Sequence, residues 1–393
     1  MSSVAEAFAP DALSLVDHHC HGIVLEELDR PAFERLITEG DPPLGTTHGS
    51  FDSPLGLAIR RWCAPVLGLE PHAVAERYLE RRAELGPRKA SRLLLRASQS
   101  GTLLLDTGLR ASEVLDPAAM AELAGTATRE IVRLEAVAEA VAAEQPTAAE
   151  FPGRYAERLR QAAQDRDAAG LKSIVAYRLG FDFDPEPPAH AEVVAAAGRW
   201  LRQPRALGEL RGAGKAFRLT DPVLLRHGIW AGAELARERG FPLQFHAGFG
   251  DPDLDLRRAD PLHLTALIRQ FRAIGVNLVL LHCYPFHRHA GYLAAVYRNV
   301  SFDVGLALNY SGARAAAVLA ESLELAPFSK QLYSSDAFGL AELYYLGATL
   351  FRRALHQVLD GWVASGDCTA PDAAAIAQRI AAGNATRLYR LEG

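Results

Sequence analysis

Short apolar runs alternate with longer amphipathic stretches along most of this chain. Eight runs read as strands: SLVDHHC (14–20), TLLLDTG (102–108), EIVRLEA (130–136), LKSIVAYR (171–178), PLQFHAG (242–248), VNLVLLH (276–282), NVSFDVG (299–305) and KQLYSSD (330–336). The third lies among Ala/Glu-rich residues that could equally continue as helix. Between the runs, EFPGRYAERLRQAAQDRDA and DPVLLRHGIWAGAELARERG carry apolar residues at helical spacing. Asp221 followed by Pro222 predicts an N-cap and first helical position, and Gly240 ends that helix before Pro242 opens a strand. Strand and helix alternating eight times predict a parallel sheet whose right-handed crossovers close into an α/β (β/α)8 TIM barrel. An open doubly wound sheet is the alternative, but no GxGxxG follows the first strand. Residues 28–98 exceed what one crossover needs, and RRWCAPVLGL and HAVAERYLERRAEL predict a helical insertion beside the barrel mouth. The expectation is a single domain over 1–393 with 28–98 inserted in it.

Polar residues interrupt this pattern at strand ends. In VDHHCHG (16–22), strand alternation sends Asp17, His19 and His21 to one side and His18 and Cys20 to the other. Two imidazoles about 7 Å apart along the backbone can converge on one metal ion. His246, His282 and Asp336 each close a later apolar run. In a parallel barrel these ends share one face, where active sites are built. Separate burial would demand a partner for each polar group, whereas one divalent metal satisfies them together. Lys172 lies within the fourth run, where an ammonium is normally expelled. It reads either as a salt-bridged or edge lysine, or as a metal ligand made anionic by carbamylation. Zinc suits these N/O ligands best, with manganese or iron as alternatives and one or two ions accommodated. Cys20 and Cys283 read as small buried fillers.

Composition narrows the function classes. The chain is 49% hydrophobic and 23% charged with mean hydropathy near zero, enough apolar material for a large core. A net charge of −5 argues against nucleic acid or an anionic membrane as partner. Four dispersed cysteines, no basic and apolar leader, and no apolar stretch of about 18 residues predict a reduced, cytoplasmic, soluble protein acting on a small molecule. Self-association into a homo-oligomer is compatible with all of this. No GxSxG elbow marks a serine nucleophile.

HHCH on the first run, lysine on the fourth, FHAGFGD on the fifth, LLHCYPF on the sixth and YSSD on the eighth resemble, in that order, the amidohydrolase superfamily of the amidohydrolase-2 type. The resemblance extends to GNATRLYRL near the C-terminus. KSIVAYRLGF, LQFHAGFGDPDLDL and LHCYPFHRHAGYLA are similar to amidohydrolases fused to, or partnered with, glutamine-synthetase-like enzymes. The resemblance implies metal ligation by His19, His21, His246 and Asp336, with Lys172 bridging two ions as a carbamate. Asp336 would also shuttle protons, and His282 would bind a second metal or polarise the substrate carbonyl. It further implies a γ-glutamyl amide as substrate, made by a glutamine-synthetase-like ligase. A non-oxidative decarboxylase or lactonase on the same scaffold is the alternative, and a non-catalytic barrel a third. Around the mouth, Arg178 could hold a substrate carboxylate, Asp251 an amine, and His48 could cap the pocket. His287 and His289 follow the sixth run, as outer support for the ligands or as exposed residues.

Overall fold

A computed structural model describes residues 13–41, 49–202 and 218–391. Seven parallel strands follow one another in chain order: β1 (Leu15–Cys20), β2 (Ser100–Asp106), β3 (Ala127–Arg133), β4 (Ala168–Ser173), β5 (Pro242–Ala247), β6 (Asn277–His282) and β7 (Val300–Phe302). The eighth position of the ring is filled by residues 330–337. Phe302 N donates to the Lys330 carbonyl and Leu332 N to that of Phe302, while on the other side His18 N donates to Tyr333 O and Asp336 N to His19 O. The barrel therefore closes between β7 and β1, as the alternation predicted. This segment stays irregular because Asp17 accepts from the Ser335 amide (2.9 Å) and hydroxyl, and because Asp336 adopts φ +49°.

Two expected strands are displaced towards the N-terminus. β3 stops at Arg133 because Leu134–Ala143, with buried Leu134, Val137, Ala138 and Val141 on one face, is a helix. β4 stops at Ser173, and Val175–Arg178 is a helical turn. The buried Glu135 carboxylate accepts from the Ser173 hydroxyl and the Ile174 amide, and Ser173 Oγ accepts from Val175 N, so side-chain oxygens replace the sheet there. The helix at Pro222–Arg239 forms as its caps dictate: the Asp221 carboxylate accepts from Val223 N and Leu224 N, and Gly240 is left-handed at φ +71°.

Inside the ring, Val16, Leu104, Ile131, Ala169, Val279, Leu281 and Leu332 form an apolar layer with Ala385 and Tyr389 of the C-terminal helix. GNATRLYRL plugs the barrel's amino end: Asn384 Nδ2 donates to the carbonyls of Phe328 (2.7 Å) and Gln331 (2.8 Å). Among the described residues between β1 and β2, all regular structure is helical, including Ala75–Leu85 and Pro87–Ala97. These helices are tied to the barrel's last helix, Ala341–Ser365, where the buried Glu342 accepts from Tyr78 Oη and Arg82 Nε, both at 2.9 Å. No helix among the described residues is long and apolar enough to cross a membrane.

Candidate metal centre and active site

The first-strand cluster does not alternate as expected. The β1–β2 register slips between Asp17 and Cys20, three residues on β1 spanning two on β2. A bulge of this kind puts two consecutive side chains on one face, and both His18 and His19 enter the barrel. His18 lies beneath, its Nδ1 3.0 Å from Tyr389 Oη and its Nε2 3.1 Å from Asp303 Oδ2. Asp17 turns to Ser335 instead of sharing the side of His19 and His21. Its carboxyl is pushed up to about 7, chiefly by burial and also by Asp336, against the Ser335 hydrogen bonds.

His19 and His21 are oriented by acceptors behind them. Nδ1 of His19 is 2.9 Å from Gln244 Oε1, and Nδ1 of His21 is 2.9 Å from the Asp106 carbonyl. Oxygens that only accept require N–H at both Nδ1 positions, so each Nε2 presents a lone pair whenever the ring is neutral. Burial, followed by the charge of Lys172, lowers His19 to about 3 and keeps it neutral. The two Nε2 atoms lie 3.2 and 3.5 Å from the same oxygen, Asp336 Oδ1. Desolvation opposes ionisation of Asp336, but the surrounding imidazoles outweigh it and hold the carboxyl well below its ordinary range. Acceptors crowded in this way favour a cation among them. These ligand atoms lie within 4.8 Å of one another, and the three residues together can hold a divalent ion.

The other predicted residues gather around this group unequally. Lys172 Nζ is 2.9 Å from His19 Nε2, and burial lowers its amine to about 8 against the partial support of Asp106 and Asp336. His282 Nε2 lies 3.5 Å from Asp336 Oδ2, and neither ring nitrogen of this buried residue has a hydrogen-bond partner among the described residues. Its backbone is left-handed, φ +69°, held by its amide donating to Asp303 Oδ1 at 3.0 Å. The strain is of the kind that persists where surrounding contacts over-determine a functional position. His246 packs 4.5 Å from the His282 ring, and its Nε2 is 3.1 Å from the Phe249 carbonyl, so that Nδ1 carries the lone pair of the neutral ring.

Substrate-side expectations fare differently. Arg178 sits on the helical turn after β4, paired with Glu139 at 3.0 Å. Asp251 accepts from Asp253 N at 2.9 Å within its own loop, which packs on Tyr177. His48 lies outside the described residues. His287 and His289 pair with Glu321 and Asp260 on the helix after β6. Gln244, Asp303, Tyr177 and Arg133 were not singled out from sequence. Gln244 carried a signal, being polar within the apolar run PLQFHAG and two residues before His246.

A family model described as amidohydrolase matches residues 108–391, more than half of the chain. The chain belongs to the amidohydrolase family. It is 29% identical to Protein fluG of Emericella nidulans over 96% of its own length and 46% of that protein's, so it spans about half the length of this relative. A crystal structure from Lactobacillus casei, assigned as a metal-dependent hydrolase, superposes with a TM-score of 0.84 at 29% identity, covering 100% of this chain and 98% of the other. Uronate isomerase from Bacillus halodurans (TM-score 0.63, 13% identity, 98% and 95% coverage) and glucuronate isomerase from Caulobacter crescentus (0.64, 14%, 99% and 94%) share the fold. The protein is thus a member of the amidohydrolase family on a barrel scaffold.

Proposed function

We propose that this amidohydrolase cleaves the C–N amide bond of a small carboxylate-bearing substrate, with a γ-glutamyl amide as the candidate. The observation that supports the reading best is the convergence of His19 Nε2, His21 Nε2 and Asp336 Oδ1, at 3.2 and 3.5 Å, with all ligand atoms within 4.8 Å of one another. His19, His21 and Asp336 would hold the ion, joined by His246, and zinc is the simplest choice for these donors. Lys172 would join as a carbamate in a two-ion site, since its amine, lowered to about 8, has an appreciable neutral fraction near pH 8. When bound, such an ion supplies Lewis acidity and makes water ionisable near neutral pH.

The chain's own residues do the rest. Asp336 lies at the open edge of the centre, where it takes the proton of the attacking water and passes it to the leaving amine. His282, neutral because burial lowers it to about 4, can present a ring N–H to the oxygen of the scissile carbonyl. The reading calls for a glutamine-synthetase-like ligase upstream to make the amide. It also fits a cytoplasmic setting, in keeping with four free cysteines.

Elemental analysis of purified protein, followed by γ-glutamyl amides assayed for free amine, tests the reading. Amine release dependent on stoichiometric metal is expected, with Asp336→Asn at least a hundredfold slower after correction for metal content. Carbon dioxide release without amine would instead identify a decarboxylase.

A further inference from the structure

Arg133 ends β3 in register with Lys172 on β4, one strand spacing of about 4.8 Å away. Ile131, two residues earlier, lies in the barrel's interior layer, so alternation also carries Arg133 inward. Its Nε and Nη2 donate to Asp106 Oδ2 at 3.0 and 2.6 Å. Asp106 is itself fixed: Oδ1 accepts from the Gly108 amide at 2.9 Å, and its carbonyl faces His21 Nδ1. A Cβ at Gly108 would stand 2.5 Å from Arg133 Cβ and 2.9 Å from its Nε, so only glycine lets the guanidinium lie against this turn. The guanidinium is thereby locked beside the metal ligands, with its remaining nitrogen accounting for the contrast with Arg178.

That nitrogen, Nη1, has no acceptor among the described residues, yet it is not among the buried atoms left without partners. The side chain keeps 8% of its surface open, and Nη1 is not among its sealed atoms. Arg178 is the reverse case. One nitrogen is tied to Glu139, and its Nε and Nη1 are buried without a partner among the described residues.

We infer that Arg133, through Nη1, binds a carboxylate of the substrate beside the metal centre, and that Arg178 does not. This rests on the carboxylate-bearing substrate proposed above and names the residue that recognises it. Because Asp106 balances its charge, Arg133 recognises the anion by a directed, charge-assisted N–H and not by net charge. A lysine cannot span both Asp106 and the ligand.

The probe is glutarate, with neutral glutaramide as its isostere, titrated calorimetrically into metal-loaded protein. Wild type and Arg178→Gln should bind glutarate alike and prefer it to glutaramide. Arg133→Lys and Arg133→Gln should bind it roughly ten- to a hundredfold more weakly. Should Arg133→Gln fail to fold with Asp106 unpaired, Arg133→Lys and the double variant Asp106→Asn/Arg133→Gln take its place. Glutarate held by the metal alone would leave every Arg133 variant at wild-type affinity and overturn the proposal. So would a wild type that does not distinguish the two probes, or weakening confined to Arg178→Gln. Amide hydrolysis is scored separately: Arg133-dependent glutarate binding without amine release would sink the proposed reaction and leave the carboxylate subsite standing. Amine release with glutarate binding indifferent to Arg133 would do the opposite.

Discussion

Gln244 fixes the proton on His19. Its Oε1 is 2.9 Å from His19 Nδ1, while its Nε2 donates to the His18 carbonyl (3.0 Å) and Tyr389 Oη (2.8 Å). The two donated bonds determine which way the amide faces, so the oxygen has to meet His19, and His19 has to turn a bare Nε2 towards Asp336. Gln244→Leu should therefore weaken metal binding roughly 10- to 100-fold. Competition against a chelator measures this, and unchanged affinity would show that His19 needs no such support.

Much of this arrangement was legible in the sequence. Eight apolar runs located the barrel, and polar residues closing them located His19, His21, His246, His282 and Asp336 on one face. What local pattern could not convey was the bulge at His18–His19, because alternation assumes an unbroken ladder. Arg178 lies on a helical turn and not on the fourth strand for a related reason: Glu135, on a neighbouring helix, ends β4 at Ser173 and sends the chain into that turn. Arg133 stayed hidden because its partner, Asp106, belongs to another strand. Such long-range pairings leave no spacing to read.

Lys172 gives the centre a pH dependence. Its folded-state amine lies near 8 against an ordinary 10.5, chiefly through burial. Its neutral, carbamylatable fraction is about a tenth at pH 7 and about nine-tenths at pH 9. With bicarbonate and zinc, uptake of a second ion should rise across that interval in wild type, whereas Lys172→Met should take one ion throughout. In the metal-free protein the unfolded chain binds the extra proton between pH 8 and 10.5, so stability should rise with pH there. Denaturant titrations that show the same slope in Lys172→Met would rule out this assignment.

Gly250 sets the position of Tyr177 over His246. A Cβ there would lie 2.1 Å from Tyr177 Oη and 3.0 Å from His246 Nε2, and the Tyr177 and His246 rings are only 4.5 Å apart. Gly250→Ala must displace one ring or the other, and displacement of about 1 Å near reacting groups costs as much as a hundredfold in rate. Removing the hydroxyl with Tyr177→Phe should restore most of the activity of Gly250→Ala. A double variant as slow as the single one would mean the loop, not the tyrosine, carries the effect.

Asp303 joins the support beneath the barrel to the geometry above it. Oδ2 faces His18 Nε2 at 3.1 Å, while Oδ1 accepts from the amides of His282 and Gly305 and from the Ser334 hydroxyl at 2.8–3.0 Å. Burial alone would raise this carboxyl, but the His18 hydrogen bond and neighbouring imidazole charge outweigh it and hold the group at about 2. A depressed folded pKa contributes stability that is present above the unfolded value of 3.8 and lost as pH falls through the folded one. That contribution is about 2 kcal/mol by the size of the shift. Asp303→Asn should cost about 2–4 kcal/mol at pH 7, since it leaves His18 and two amides competing for a neutral oxygen. The gap between wild type and variant should then shrink by about 2 kcal/mol from pH 4 to pH 2. Turnover should fall with it, because a neutral amide oxygen holds the left-handed His282 backbone more weakly than the carboxylate does. Urea unfolding at several pH values, paired with turnover assays, reads both effects. A pH-independent gap would show that His18 and His282 are held by packing and not by the charge of Asp303.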